Sequence, residues 1–200
     1  MALCSHRIVL PGSPSTCALD TILVPLPSFL LVVAFLLLLS RLSKHLENVN
    51  RLPYPHWLHN VYFVLVLAAF AMTILEMARL SAQDLGVGLL PMSTTALFIV
   101  MVALWIERGR IWALSIILCS YWLFLAAMET VKVVRLNVLD ETIPNKASSP
   151  EYPASDQLLD NAVMVALYWL FFVFELYTIT TIIRKRQVDK TDSLLMLGIQ

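Results

Sequence analysis

Glu175 is the clearest candidate for chemistry in this sequence, because it lies inside a long hydrophobic run. If that run is a membrane helix, an ionised side chain near its centre costs about 2.5–3.5 kcal/mol on insertion scales. A proton relay or substrate site would need a second polar group at similar depth, and the candidates are Ser115, Ser120 and Tyr121. None of these is basic. We therefore expect Glu175 to face other helices, protonated or paired, and to make an interhelical hydrogen bond that fixes their packing.

Glu76, Glu129 and Lys132 form a second group of charges, near the ends of hydrophobic runs. Glu129 and Lys132 are three residues apart, a spacing at which side chains pair along one helix face. Glu76 is a candidate partner for Lys132 or Arg79 on a neighbouring helix. We expect structural ion pairs here, which orient helices more than they stabilise them. A surface that docks a partner protein is the alternative.

The remaining reactive residues do not form a recognisable site. His56 and His59 lie close together, but zinc needs three or four ligands and no cysteine or acidic cluster is adjacent. The sequence shows no nucleophile with a base and an orienting group, no glycine-rich phosphate loop and no paired carboxylates at one depth. We expect no enzymatic activity, no bound metal and no cofactor. Cys119 is expected to be a small packing residue.

The composition excludes most classes of soluble protein. Hydrophobic residues make up 59% of the 200 residues and charged residues 14%, against roughly 45–50% and about a quarter in soluble domains. A water-soluble globule with this balance would expose large apolar patches, and the same balance excludes intrinsic disorder. The formal net charge is 0, so there is no basic excess to attract nucleic acid. We expect lipid to surround most of the chain.

Five stretches are apolar enough to cross the roughly 30 Å hydrocarbon core of a bilayer, which takes about 20 helical residues. Long apolar runs favour helices over the alternating strands of a barrel. The sequence thus predicts an all-α membrane protein, a bundle of five transmembrane helices. The predicted spans are roughly Thr21–Ser40, Leu58–Leu80, Val87–Ile106, Ile111 to at least Thr130, and Leu159–Ile183. The segment Asp140–Asp156 is predicted to be a long polar loop.

The distribution of lysine and arginine predicts the orientation. If the N-terminus is outside or lumenal, nine of the 14 basic residues lie on the cytoplasmic side and five on the other, as the positive-inside rule favours. Trp57, Trp105 and Trp112 then lie at cytoplasmic helix ends, where interfacial aromatic residues are common. We predict an N-out, C-in bundle with a lumenal segment 1–20, a membrane domain 21–183 and a cytoplasmic tail 184–200.

A basic anchor begins the predicted tail. Arg184, Lys185 and Arg186 follow the last predicted span directly. They serve as a topology signal, and they are also suited to anionic lipid headgroups at about 1 kcal/mol per charge.

Three local patterns together resemble a known family. The first is Cys17-Ala-Leu-Asp20 with Cys4 upstream. The second is the run Leu104-Trp105-Ile106-Glu107-Arg108-Gly109-Arg110, followed by Tyr121-Trp122-Leu123-Phe124 and by Thr130-Val131-Lys132-Val133-Val134-Arg135. The third is a fifth span that contains Glu175. In this order, from Cys4 to about Arg186, the chain resembles TMD0, the extra N-terminal five-helix domain of subfamily C ABC proteins. That subfamily includes multidrug-resistance-associated exporters, fungal vacuolar glutathione-conjugate pumps and sulfonylurea receptors.

The resemblance implies an accessory function. In that family the domain does not bind ATP and does not form the main translocation path, but docks beside the transporter core and assists trafficking and stability. In sulfonylurea receptors it contacts a potassium channel. No Walker A pattern and no core spans occur within the 200 residues, so we expect either an isolated domain or truncated product, or an independent relative.

The resemblance also bears on Cys4 and Cys17, which the predicted orientation places in an oxidising compartment. In the resembled family the matching pair can be bridged. A disulfide here would close a loop of 12 intervening residues and stabilise the fold by about 3 kcal/mol on a chain-entropy model. We predict this disulfide, and two free thiols are the alternative.

We expect the chain to be an accessory domain that interacts with an ABC transporter core or another integral membrane protein, and with membrane lipids. A vacuolar or lysosomal membrane and the plasma membrane both fit this expectation. The main alternative is a small transporter or channel that acts as an oligomer, although few intramembrane polar residues are present to line a pathway. A lipid-modifying enzyme would need a reactive cluster at the interface, which the sequence does not show.

Overall fold

The chain folds mainly into α-helices in the part that the structure describes. The structure is a computed structural model, and it describes residues 22, 25–42, 56–82, 88–106, 112–142 and 154–197. The helices within these ranges are α1 (Leu26–Leu42), α2 (His56–Ala82), α3 (Leu90–Ile106), α4 (Trp112–Thr142) and α5 (Ala154–Leu197). The predicted all-α fold is thus confirmed for these residues.

Proline and glycine set the starts of two helices. The carbonyl of Pro25 accepts hydrogen bonds from the backbone N–H groups of Ser28 and Phe29 at 3.0 and 3.1 Å, which forms the first turn of α1. Gly88, just before α3, has a φ of 59°, a conformation that a residue without a Cβ adopts at little cost. Pro91 lies in the first turn of α3, where a missing N–H costs nothing.

The helices differ in their ability to cross a membrane. By length and composition, three contain segments that could do so, namely Trp57–Ala82, Trp112–Val138 and Gln157–Lys185. The apolar parts of α1 and α3 are shorter, Leu26–Leu38 and Leu90–Ile106. At about 1.5 Å per residue, the 17 residues of α3 extend about 26 Å, slightly less than the hydrocarbon core.

Several helix ends differ from those predicted. Helix α1 begins at Leu26, after Pro25, whereas the predicted start of the first span at Thr21 lies outside the described residues. Helix α4 extends to Thr142, and α5 runs from Ala154 to Leu197. The predicted loop Asp140–Asp156 was therefore too long at both ends. The apolar segment of α5 ends at Lys185, close to the predicted span end at Ile183, and the helix continues beyond it. Hydropathy locates the end of an apolar run, but a helix satisfies its own backbone groups and continues into polar sequence.

The helices pack in a ring. The closest pairs are α1 with α3, α3 with α2, α2 with α5, α5 with α4, and α4 with α1, and the pair α4–α5 has the most extensive contact. Helices α2 and α4 are therefore separated by α5 on one side of the ring. Side chains that join α2 to α4 must be long enough to reach across the interior.

Large side chains fill that interior. The biggest fully buried ones belong to α2, α4 and α5, and they are Tyr62, Trp122, Tyr168 and Phe171. On the outer surface every helix exposes apolar side chains, including Phe29, Val64, Phe98, Phe124 and Val173. Lipid, rather than water, is the solvent that such a surface requires.

Candidate functional site

A buried ion pair joins α2 to α4. The Nζ atom of Lys132 donates a hydrogen bond to Oε1 of Glu76 at 2.6 Å. The side chains are only 7% and 13% exposed, and both lie within the apolar segments of their helices. Charges at such a depth are tolerated where they pair inside a bundle. The sequence suggested Lys132 or Arg79 as the partner of Glu76, and in the structure Lys132 makes this hydrogen bond.

Glu129 lies beside this ion pair. Its side chain is buried, with 5% of the residue exposed, and its Oε2 atom has no hydrogen-bond partner. Lys132 and Glu76 both act on it electrostatically. Glu129 and Lys132 lie three residues apart on α4 and interact electrostatically, and a hydrogen bond from Lys132 also reaches Glu76 on α2.

A second ion pair lies one turn nearer the same end of the bundle. Nη1 of Arg79 on α2 donates a hydrogen bond to Oδ2 of Asp160 on α5. Both side chains are partly exposed, at 40% and 32%. Asp160 was not selected from the sequence. The signal was present, since Asp160 falls within the predicted fifth span and the predicted topology places it at the same end as Arg79.

An aromatic cluster occupies the middle of the ring. Nε1 of Trp122 donates a hydrogen bond to the Tyr62 hydroxyl at 2.8 Å, and both side chains are fully buried. Tyr62 stacks on Phe174 with ring centroids 5.1 Å apart, and it meets Phe171 edge-on at 5.5 Å. Trp122 stacks on Tyr168 at 5.9 Å. This cluster joins α2, α4 and α5 and leaves the interior packed at this depth.

Glu175 is fully buried among the helices. It lies near Cys119 on α4, close enough for an electrostatic interaction. Of the three polar residues considered as companions, Ser115 is fully buried, whereas Ser120 is exposed and donates to the carbonyl of Ile116 at 3.0 Å. The third, Tyr121, is buried, and its hydroxyl has no hydrogen-bond partner.

Two further polar contacts hold α3 in place. Ser28 on α1 donates a hydrogen bond to Ser93 on α3 at 3.4 Å, with both residues buried. Nε2 of His59 on α2 donates to the carbonyl of Leu104 at 3.1 Å, near the end of α3. This contact gives His59 a structural role.

The other predicted site residues are only partly covered by the structure. Arg184 and Lys185 are exposed on α5, as lipid headgroup contacts would require. The side chain of Arg186 and the predicted disulfide between Cys4 and Cys17 lie outside the described residues. Within the described ranges, no group of three histidine, cysteine or acidic side chains is placed to hold a metal ion.

The sequence comparison identifies the family. A family model described as the ABC transporter TMD0 domain matches residues 9–152, more than half of the chain and most of the region that carried the resemblance. No curated protein and no solved structure matches the chain. The matched region includes Glu76, Glu129 and Lys132. The chain belongs to the ABC transporter TMD0 domain family and is an integral membrane protein.

Proposed function

We propose that this chain is a membrane-embedded accessory domain that docks beside an ABC transporter core, or beside another integral membrane protein, and supports its trafficking, stability or regulation. It carries out neither ATP hydrolysis nor transport itself. The match of the ABC transporter TMD0 family model over residues 9–152 is the observation that carries this proposal.

The placement of polar groups supports an interaction function. Among the described residues, the ion pairs Glu76–Lys132 and Arg79–Asp160 join helices of the bundle to one another. The hydrogen bond from Trp122 to Tyr62 also joins two helices, α4 and α2. Packing and a few polar links hold membrane helices together, so these groups stabilise the bundle and leave an apolar outer surface for lipid and partner helices.

The proposed arrangement has five membrane spans, with the N-terminus outside or lumenal and the C-terminus inside. Residues 1–20 then form a lumenal segment, 21–183 the membrane domain and 184–200 a cytoplasmic part. The excess of lysine and arginine on the cytoplasmic side supports this orientation. The proposed location is a vacuolar or lysosomal membrane or the plasma membrane.

Co-purification tests the docking proposal. The tagged chain is co-expressed with a subfamily C ABC core that lacks its own N-terminal bundle, and the tag is used for purification in mild detergent. We expect the core to be recovered with the tagged chain. A tagged single-span membrane protein, expressed at the same level, is the control for non-specific recovery. Failure to recover the core with a chain that elutes as a folded, monodisperse species would contradict docking.

A flux measurement separates this proposal from the transporter alternative. The purified chain is placed in liposomes alone, and ion and solute flux is compared between the native chain and Glu175→Gln. We expect no flux above that of empty liposomes in either case. Flux that Glu175→Gln abolishes while the bundle stays folded would favour a small transporter.

A further inference from the structure

The buried group Glu76, Glu129 and Lys132 carries more negative than positive charge. Lys132 supplies one ammonium group, and it is hydrogen-bonded to Glu76 at 2.6 Å. Glu129 supplies a second carboxyl, buried beside that pair, with Oε2 lacking a hydrogen-bond partner. If both carboxyls were ionised, the group would bear an uncompensated negative charge inside the bundle.

The depth of Glu129 makes such a charge costly. Glu129 lies nine residues before Val138, the end of the apolar segment of α4, which is about 13 Å along the helix. The side chain is also enclosed by the other helices, since only 5% of the residue is exposed. A carboxyl group that is buried without enough positive charge around it takes up a proton rather than remain ionised.

Few other charged groups lie around Glu129 in the part of the chain that the structure describes, and Arg79, one turn from Glu76 on α2, is hydrogen-bonded to Asp160. Among the described residues, Lys132 and Glu76 are the charges that act on Glu129. Tyr168 on α5 and Tyr121 on α4 also interact electrostatically with Glu129, and Arg135 lies six residues after it on α4. The described side chains of α1 and α3 include no titratable group. A metal cation in place of the proton would be repelled by the ammonium group of Lys132.

We propose that the Glu129 carboxyl carries a proton in the folded bundle, so that Glu129, Glu76 and Lys132 form a site that binds one proton and couples the stability of the bundle to pH. Binding converts the carboxylate to a carboxylic acid, with the proton taken from water. The unfolded chain, whose glutamates are solvated, has released this proton by neutral pH. The folded state then binds one more proton than the unfolded state, and its stability falls as pH rises.

Thermal unfolding as a function of pH tests the proposal. Tm of the purified chain in detergent is measured from about pH 5 to about pH 9, above the range in which an exposed glutamate ionises. We expect Tm to fall as pH rises, with the folding equilibrium constant decreasing by up to about tenfold per pH unit. Glu129→Gln, which mimics the neutral acid, should reduce this dependence and raise Tm at high pH. Glu141→Gln is the matched control, because Glu141 is exposed on the same helix.

Infrared spectroscopy gives an independent measurement. The C=O stretch of a protonated carboxyl group should be present in the native chain at neutral pH and should remain in Glu175→Gln, which removes the other deeply buried glutamate. It should be lost in Glu129→Gln. If Glu129→Gln fails to fold, Glu175→Gln still keeps the proposal open to contradiction, because Glu129 remains in that variant. Absence of the band there, or a Tm that depends on sodium rather than on pH, would overturn the proposal.

Discussion

Lys132 makes its ion pair inside the bundle, where the surrounding atoms are apolar. An exposed pair of this kind contributes at most about 1 kcal/mol, because water solvates the two charges separately. With side chains only 7% and 13% exposed, Lys132 and Glu76 have little water to replace a lost partner. The pair therefore affects the stability of the bundle chiefly because removing one partner leaves the other charge buried and uncompensated.

Lys132→Met should destabilise the bundle by about 3–5 kcal/mol, since it leaves Glu76 buried without its ammonium partner. Reversible unfolding in mixed detergent measures the change in the free energy of unfolding. Lys185→Met is the matched control, because Lys185 is exposed on α5, and it should change stability by less than about 0.5 kcal/mol. Adding Glu76→Gln to Lys132→Met should restore part of the loss. Equal stability of Lys132→Met and the native chain would contradict a buried ion pair.

The sequence located the buried charges more readily than their partners. Glu76, Glu129, Lys132 and Glu175 stand out because a charge inside an apolar run must face other protein groups. Whether Lys132 binds Glu129 or Glu76 depends on the rotation of α2 relative to α4, which hydropathy does not determine. Asp160 was missed for a related reason, since its partner Arg79 lies on a helix far away in sequence.

Helices α2 and α4 contact each other through long side chains rather than through close packing of their backbones. Helix α5 lies between them on one side of the ring, and Tyr62 and Trp122 span the interior with a hydrogen bond of 2.8 Å. Both side chains are fully buried. The size of the Tyr62 and Trp122 side chains and the hydrogen bond between them therefore set the distance between these two helices.

A double-mutant cycle on this contact should show modest coupling. Tyr62→Phe removes the accepting hydroxyl and Trp122→Phe removes the donor, and we expect a coupling of about 0.6 kcal/mol, at most about 1.7, as for other hydrogen bonds between membrane helices. Unfolding free energies of the two single variants and the double variant measure it. Trp169→Phe, at an exposed aromatic residue of α5, is the control for loss of an indole ring. A coupling of zero would mean that packing alone joins the helices here.

At the scale of elements, the sequence predicted which segments are helical but not where each helix ends. Apolar runs identified the central part of all five described helices. The polar continuation of α5 from Arg184 to Leu197 was missed, because hydropathy analysis treats the loss of apolar character as the end of a span. In α4, the continuation includes an Asn137–Glu141 hydrogen bond at 2.9 Å, a spacing that supports helix beyond the apolar segment.

The length of α5 matters for the molecule as a whole. Its 44 residues extend about 66 Å, roughly twice the thickness of the hydrocarbon core. The apolar segment Gln157–Lys185 occupies the first two thirds. In the proposed orientation the remaining turns project into the cytoplasm beyond Arg184 and Lys185.

Accessibility of engineered cysteines tests this orientation across the whole molecule. With the native cysteines replaced by alanine, single cysteines are introduced at Ser13, Gly109, Ser148 and Ser193, and sealed microsomes are treated with a membrane-impermeant maleimide. Five spans with the N-terminus in the lumen predict labelling of the variants at Gly109 and Ser193 in intact vesicles, and labelling at Ser13 and Ser148 only after detergent is added. The reason is that each odd number of crossings exchanges the compartment, so Ser13 and Gly109 are separated by three spans and Ser148 and Ser193 by one. If α1 or α3, whose apolar segments are short, did not cross the membrane, Ser13 and Gly109 would be labelled from the same side, and the five-span arrangement would be wrong.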